Sequence, residues 1–191
     1  MAAMIKFGRI GAEKEGQGGI VGAAGLPGCP HCRDGARRDG GMTNIYETRD
    51  RVRRLLVEFV GHVSVDEDGD FAFRHNSVEV QVYVHPFSDE PDNESLVITV
   101  HSVTNWAVPG STELYRLIAT LGGGGYWFAN FSLYARDDGT FNVNCRHQLL
   151  ADTFDPDELT QAVSGVACAA DRFAKEIQGE FGGKILDDLT A

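Results

Sequence analysis

Long apolar runs, a surplus of basic residues and a dense set of cysteines are all missing from this chain of 191 residues. No stretch reaches the 18 apolar residues of a transmembrane helix, and no apolar core follows the first charges, so we expect neither a membrane span nor a signal peptide. Lys and Arg total 17 against 28 Asp and Glu, a net charge of -11. The phosphate attraction that drives nucleic-acid and anionic-membrane binding is therefore absent. We expect a cytoplasmic protein with no nucleic-acid or membrane partner.

Cysteine is scarce, and its four positions are too scattered for a disulfide framework in a chain of this length. Cys29 and Cys32 enclose a Pro-His pair, and this C-x-x-C spacing suits a redox pair or half of a zinc site. It resembles the active-site tetrapeptide of DsbA-type thiol oxidoreductases. The flanking residues predict no strand before it and no helix after it to lower a thiol pKa. Cys168 lies among alanines, so we expect it to be buried or half-buried.

Catalytic signatures are missing too. The six histidines never stand beside a serine, cysteine or carboxylate at a spacing that local geometry would bring together. The glycines at 122–125 close a predicted helix, whereas a phosphate loop opens one. The acidic turn at 66–70 does not have the ligand spacing of a calcium loop. We therefore expect no enzyme, no catalytic residue, no metal and no cofactor.

Composition divides the chain into three parts. Residues 1–42 are rich in glycine and hold a single aromatic, Phe7, so they cannot bury enough surface to order themselves, and we expect a disordered head. A further hypothesis is that this head is not translated natively, because codons for the residues just before Met42 can be purine-rich like a ribosome-binding site. Residues 43–181 form the predicted domain, and 182–191 a C-terminal tail.

The clearest predicted element is a hairpin across residues 126–150. Alternating apolar residues mark one face of each strand, and the loop between them contains Gly139, which tolerates the positive φ of a bulged turn. Alternating valines at 78–84 predict another half-buried strand. Apolar residues at helical spacing predict helices after Thr48, after Ser111 and after the Asp155 cap. The last helix carries Phe173 on its inward face.

These elements predict an α+β fold, an antiparallel sheet with the order α-β-β-β-α-β-β-α and helices packed on one face. On the face opposite the core, alternation places the aromatic residues Tyr83, Phe128 and Tyr134 beside polar groups. A single helical layer cannot cover both faces of the sheet. We therefore expect these three residues to bind a partner, either a client protein or peptide or a second copy in a homodimer.

The order of elements also resembles that of a known family. The residues that carry the likeness are 63–65, 68–73, 78–84 and 111–114, followed by the aspartate-capped last helix. In these features the chain is similar to the bacterial YbjN and type III secretion chaperone-like family, also grouped as peptide-binding TY-Chap domains. The resemblance implies a helix-covered antiparallel sheet, often dimeric, that binds extended client segments without nucleotide hydrolysis.

The leading functional hypothesis is a non-enzymatic, chaperone-like module that binds a protein or peptide. One alternative is a sensor for a small ligand, in which Trp106, Trp127 and Phe128 line a pocket. Another is a thiol redox protein that uses Cys29 and Cys32.

Overall fold

The computed structural model describes residues 44–87, 95–121 and 128–190. Four helices and six strands follow one another along these residues. Their bounds are α1 (Ile45–Val60), β1 (Ser64–Val65), β2 (Phe71–His75), β3 (Val78–Pro86), β4 (Leu96–Pro109), α2 (Thr112–Thr120), β5 (Asn130–Ala135), β6 (Thr140–Leu150), α3 (Pro156–Phe181) and α4 (Leu186–Thr190).

The six strands form one sheet in the order β1-β2-β3-β4-β6-β5, and all neighbours are antiparallel. Strands β1 to β4 follow the chain order, as a meander does. The chain then passes through α2 to the far edge and returns as β6, which lies between β4 and β5. Strands β1 and β5 are therefore the two edges of the sheet.

The two long helices begin and end at residues suited to those places. The side chain of Asn44 accepts a hydrogen bond from the amide of Tyr46 at the start of α1, and Gly61, with φ of 82°, ends that helix. At the start of α3, Asp155 and Glu158 form a reciprocal capping box. Each cap satisfies main-chain groups that a helix end leaves unpaired.

The core lies between one face of the sheet and the helices. Every second residue of β3 is buried there, from Val78 to Val84, which confirms the alternation predicted for this strand. Helix α3 crosses β3, β4 and β6, and its Phe173 is buried with its ring edge-on to that of Phe131, 5.3 Å between centroids. The inward orientation predicted for Phe173 is confirmed.

The α+β class and the antiparallel sheet are confirmed, but the predicted element order is wrong in two places. Four strands precede α2 instead of three, because the two residues Ser64 and Val65 pair with β2 as a separate short strand. A fourth helix, α4, follows α3. A five-residue helix is too short to leave a periodic pattern in a sequence.

The predicted division of the chain is visible only in part. The whole of the predicted head, residues 1–42, lies outside the described residues. Residues 182–190, set apart above as a tail, contact the domain, since Ile185 and Leu186 are buried. Among the described residues, no helix is both long enough and apolar enough to cross a membrane.

Candidate partner-binding face

The face of the sheet opposite the core, which we call the open face, is defined by the strand register. Tyr83 on β3 lies opposite Thr99 on β4, which lies opposite Gln148 on β6. The neighbouring row joins Gln81, His101, Arg146 and Asn130. Further members of the open face are Glu79, His85, Val97, Val103, Ser132, Tyr134, Asn142, Asn144 and Leu150. Most of these side chains are polar, and Tyr83 and Tyr134 lie among them, as the alternation predicted.

Tyr83 is the centre of a chain of hydrogen bonds on the open face. Its hydroxyl donates to Oε1 of Gln81 at 2.7 Å, and Nε2 of Gln81 donates to Glu79 at 3.0 Å. The same hydroxyl oxygen lies 2.7 Å from Nδ1 of His101. Because the one hydroxyl proton goes to Gln81, we assign the proton of this contact to Nδ1 of His101. The chain then runs from His101 to the carboxylate of Glu79.

Burial holds both rings of this chain in their neutral forms. It raises the pKa of Tyr83 above its usual range, and the nearby carboxylates of Asp70 and Glu79 add to the effect. Burial lowers the pKa of His101 to about 4, against a smaller opposing effect of its hydrogen bond with Asn144. The two rings carry no charge, whereas the network ends at the carboxylate of Glu79. The hydroxyl of Tyr83 is bonded within the network, so we expect its ring rather than its hydroxyl to contact a partner.

A second network lies beside the first. Thr99, nearly inaccessible to solvent, lies 2.9 Å through its hydroxyl from Nε2 of His85 and accepts from Nε2 of Gln148 at 3.2 Å. Nδ1 of His85 lies 2.9 Å from the carbonyl of Pro86. These contacts tie β3, β4 and β6 together across the face. They fix the side chains in place before any partner arrives, which lowers the entropy cost of binding.

Tyr134 lies at the far end of the open face. It is 43% exposed on the edge strand β5, opposite Asn142. Tyr83 shares a row with Gln148, six residues further along β6. The two tyrosines are therefore separated by about 20 Å along the strands and about 14 Å across them. They do not form one pocket but mark two ends of a long surface.

The placement of Phe128 on the open face is wrong. Strand β5 begins only at Asn130, so the alternation that was extended back to Phe128 does not apply there. Its ring lies 5.4 Å from that of His147, and its Cβ is so close to α3 that a Cβ built on Gly165 would lie 2.6 Å away. Phe128 thus packs on the helix side of the sheet.

One exposed apolar residue of the open face was missed from the sequence. Leu150 is 53% exposed and lies opposite Val97, which in turn lies opposite His85. The signal was present, because Leu150 continues the alternation of Asn142 to Gln148 by one more step. Together with Tyr83 and Tyr134, it gives the open face three separated apolar positions.

The two edges of the sheet differ in how well they are protected. Strand β1 has two residues and runs directly into the acidic turn at 66–70, and both features discourage pairing. Strand β5 has six residues, with no proline and no charge in Asn130–Ala135. The amide of Arg136 donates to the carbonyl of Thr140 at 2.9 Å and so closes the β5–β6 hairpin. By alternation, the main-chain groups of Phe131, Leu133 and Ala135 then point away from β6.

The cysteines give mixed results. Cys29 and Cys32 lie outside the described residues, as does Trp127 of the predicted ligand pocket. Burial raises the pKa of the Cys145 thiol to about 12. Cys168 is exposed, so the expectation that it is buried or half-buried is wrong, because it occupies the solvent side of α3. Within the described ranges, no group of His, Cys, Asp or Glu has the arrangement of a metal site.

The chain is similar to a family of known proteins and to two solved structures. A family model described as T3SS (YopN, CesT) and YbjN peptide-binding chaperone 1 matches residues 47–188. One similar solved structure is the ExsC–ExsE complex, with 19% identity over 68% of this chain and 95% of that chain and a TM-score of 0.46. Another is the Yersinia pestis type III secretion chaperone SycH in complex with a stable fragment of YscM2, with 13% identity over 65% of this chain and 98% of that chain and a TM-score of 0.44. No curated protein matches.

The family model spans the domain from the first turn of α1 into α4. The match covers well over half of the chain and every strand of the sheet. The chain belongs to the family of type III secretion and YbjN peptide-binding chaperones.

Proposed function

We propose that the protein is a cytoplasmic, non-enzymatic chaperone that holds an extended segment of a client protein across its open face. The observation that carries the proposal is the separation of Tyr83 and Tyr134 on one continuous, prearranged surface. A compact ligand cannot touch both. An extended segment of roughly eight residues spans the distance.

The chemistry of the open face suits a polypeptide. Side-chain amides of Asn130, Asn142, Asn144 and Gln148 lie between the apolar positions, and an amide can both donate to and accept from a peptide main chain. Tyr83, Leu150 and Tyr134 supply places for apolar side chains of the client. Such contacts favour an extended shape more than one particular sequence.

The chain's acidity favours a neutral or basic client. Its net charge of -11 repels acidic segments and speeds the approach of basic ones, since charge acts on the encounter rate at distances up to about 10 Å in ordinary salt. The rate of client association should accordingly fall as salt is added.

We further propose that two copies associate through the edge of β5. Among the described residues, no strand pairs with the outer edge of β5. This supports the proposal, because the edge of an uncharged strand invites a second strand. Two copies of β5 placed antiparallel would pair Phe131, Leu133 and Ala135 with their counterparts. Such a contact is symmetric, as in most homodimers.

Replacing Tyr134 by Asp tests client binding. Tyr134→Asp should abolish capture of clients from native lysate while leaving the fold intact, because it places a charge on the apolar end of the open face. Tyr46→Asp is the matched control, since Tyr46 is 72% exposed on α1, outside the sheet. If Tyr134→Asp captures the same proteins in the same amounts as Tyr46→Asp, the open face is not the client site.

Replacing Ala135 by Pro tests the dimer separately. The substitution removes an outward main-chain donor from β5, and Ala135→Ser keeps that donor as the control. Light scattering should show the mass of two chains for Ala135→Ser and of one chain for Ala135→Pro. An unchanged mass for the proline variant contradicts association through this edge.

A further inference from the structure

Strand β4 is longer than β3, its neighbour on one side. It has 14 residues, but β3 pairs with it only from Leu96 to His101. Its second half, up to Pro109, pairs with β6 on the other side. On the side that faces β3, the main-chain groups in this half of β4 are not paired with β3.

Residues 182–190, which we call the strap, cover that edge. The amide of Trp106 donates to the carbonyl of Lys184, and the amide of Lys184 donates to the carbonyl of Trp106, both at 2.8 Å. This is the bonding of an antiparallel strand pair, reduced to one residue on each side. The strap therefore lies on β4 as an extended peptide does.

The residues around Lys184 fit the seat closely. A Cβ built on Gly183 would lie 2.8 Å from the carbonyl oxygen of Trp106 and 2.8 Å from Cγ2 of Val108, so only glycine fits at this position. Ile185 and Leu186 are buried, 6% and 5% exposed. The seat thus accommodates four consecutive residues: a glycine, any residue and two apolar residues.

An acidic end completes the pattern. Oδ2 of Asp188 accepts from the amide of Ile185 at 3.0 Å and from Nε2 of Gln178. Asp187 forms an ion pair with Arg74 on β2. The strap consequently contacts β2, β4 and α3, but only the Trp106–Lys184 pair joins it to the sheet by main-chain bonds.

We propose that the strap is displaceable and that its seat on β4 binds, in trans, a peptide that pairs with Trp106 through one residue and then forms a short helix. Its pattern is glycine, any residue, two apolar residues and two acidic residues. The strap opens about the consecutive glycines 182 and 183, which hold φ of 81° and 85°, a conformation in which other residues are strained. The strap is then a competitor in cis for the peptide. The seat is formed on the main chain of Trp106, and its use does not depend on the client function proposed above.

Competition in cis sets the apparent affinity. A peptide binds only the fraction of molecules with an open strap, so its apparent Kd rises as that fraction falls. Any change that loosens the strap without altering the seat should tighten binding of the peptide. This behaviour distinguishes a displaceable strap from a permanent part of the fold.

Hydrogen exchange of the unaltered chain tests displacement directly. The amides of Lys184 and Trp106 should exchange through local opening, at least about tenfold faster than the hydrogen-bonded amides of β3. Equal protection of Lys184 and of β3 means that the strap leaves only when the whole domain unfolds. That result overturns the proposal without any variant.

Peptide binding tests the occupant. The probe is a labelled peptide with the sequence of residues 182–191, and the control peptide carries Asp at the positions of Ile185 and Leu186. Fluorescence anisotropy is measured on the full chain and on two matched pairs of variants. Lys184→Pro removes the amide that bonds Trp106 whereas Lys184→Ala keeps it, and Gly183→Ala crowds the seat whereas Gly179→Ala meets open space.

We expect the probe to bind Lys184→Pro and Gly183→Ala with a Kd at least about tenfold lower than its Kd for the unaltered chain. Lys184→Ala and Gly179→Ala should match the unaltered chain, and the control peptide should bind none of them. If the loosened variants keep native circular dichroism and bind the probe no better than their controls, the seat does not accept a peptide in trans. If they unfold, titration of the unaltered chain decides: saturable binding of the probe but not of the control peptide supports the proposal, and its absence at millimolar probe overturns it.

Discussion

At the scale of single residues, the domain contains two kinds of aromatic group with different roles, one buried and one half-buried. Phe173 fills the space between α3 and β5 and makes a ring contact with Phe131. Tyr83 and His101 instead take part in hydrogen bonds on the open face. The first kind stabilises the fold by burying apolar surface. The second holds the side chains of the open face in place, and its contribution to the stability of the fold depends on protonation.

Phe173→Ala should lower the free energy of unfolding by roughly 3–5 kcal/mol, because it leaves a cavity opposite Phe131. This loss is a large part of the free energy of unfolding of a typical domain, which is about 5–15 kcal/mol. The control is Phe59→Ala, since Phe59 is 47% exposed on α1, and its effect should stay within about 0.5 kcal/mol. Urea unfolding measures both, and equal effects would mean that the contact of α3 with the sheet is not a core contact.

His101 should make stability depend on pH in a defined window. Its pKa is about 4 in the folded chain and about 6.5 when unfolded, so the unfolded state takes up the proton first. Stability should fall as pH is lowered from above 6.5 to about 4, by at most about 1.4 kcal/mol per pH unit. His101→Gln cannot take up this proton, so its urea midpoint should change less over the same window. Parallel curves for the two chains contradict a buried neutral His101.

At the scale of elements, one carboxylate holds the β2–β3 hairpin against α3. Asp171 of α3 accepts from the hydroxyl of Ser77 at 2.6 Å, from the amide of Ser77 at 3.1 Å and from Nδ2 of Asn76 at 3.0 Å. Asn76 occupies the turn with φ of 50°, a conformation that asparagine tolerates better than most residues. The turn and the helix thus fix each other.

Asp171→Ala should lower the free energy of unfolding by about 1–2 kcal/mol. The loss is smaller than for a buried carboxylate, because solvent screens the charge of Asp171. Burial alone raises the pKa of Asp171, but the hydrogen bonds from Ser77 and Asn76 outweigh it and lower the pKa. The stabilisation is therefore present above the unfolded pKa of about 3.9 and is lost as pH falls through the folded pKa. Urea midpoints at pH 7 and pH 3 should differ less for Asp171→Ala than for the control Glu176→Ala.

Much of the layout of elements follows from local pattern, and the exceptions have physical causes. The valines of β3 and the capping box of α3 are local signals, and both occur as predicted. The position of Phe128 depends on where β5 starts, and alternation within a strand does not mark the end of that strand. The pairing of Lys184 depends on Trp106, a residue distant in the chain. Alternation identified Tyr83 and Tyr134 as candidate residues, but not the bonds that hold Tyr83.

At the scale of the whole molecule, the part of the chain that the family model covers begins at residue 47. A chain that starts at Met42 should therefore unfold at the same temperature as the full chain, because the earlier residues carry no apolar pattern for docking. Differential scanning calorimetry on the two chains measures this. A melting temperature several degrees lower for the shorter chain would show that the first 41 residues stabilise the domain.

The position of β6 between β4 and β5 has a consequence for biosynthesis. The ribosome releases β4, α2 and β5 before β6, so β5 has no strand to pair with until β6 has emerged. The apolar face of β4 is covered by α3 only after α3 has been synthesised. The last residue of α3, Phe181, is added roughly 4–14 seconds after the end of β4. During that interval the nascent chain displays an uncovered strand of apolar residues. A member of a chaperone family thus needs protection itself while it is being made.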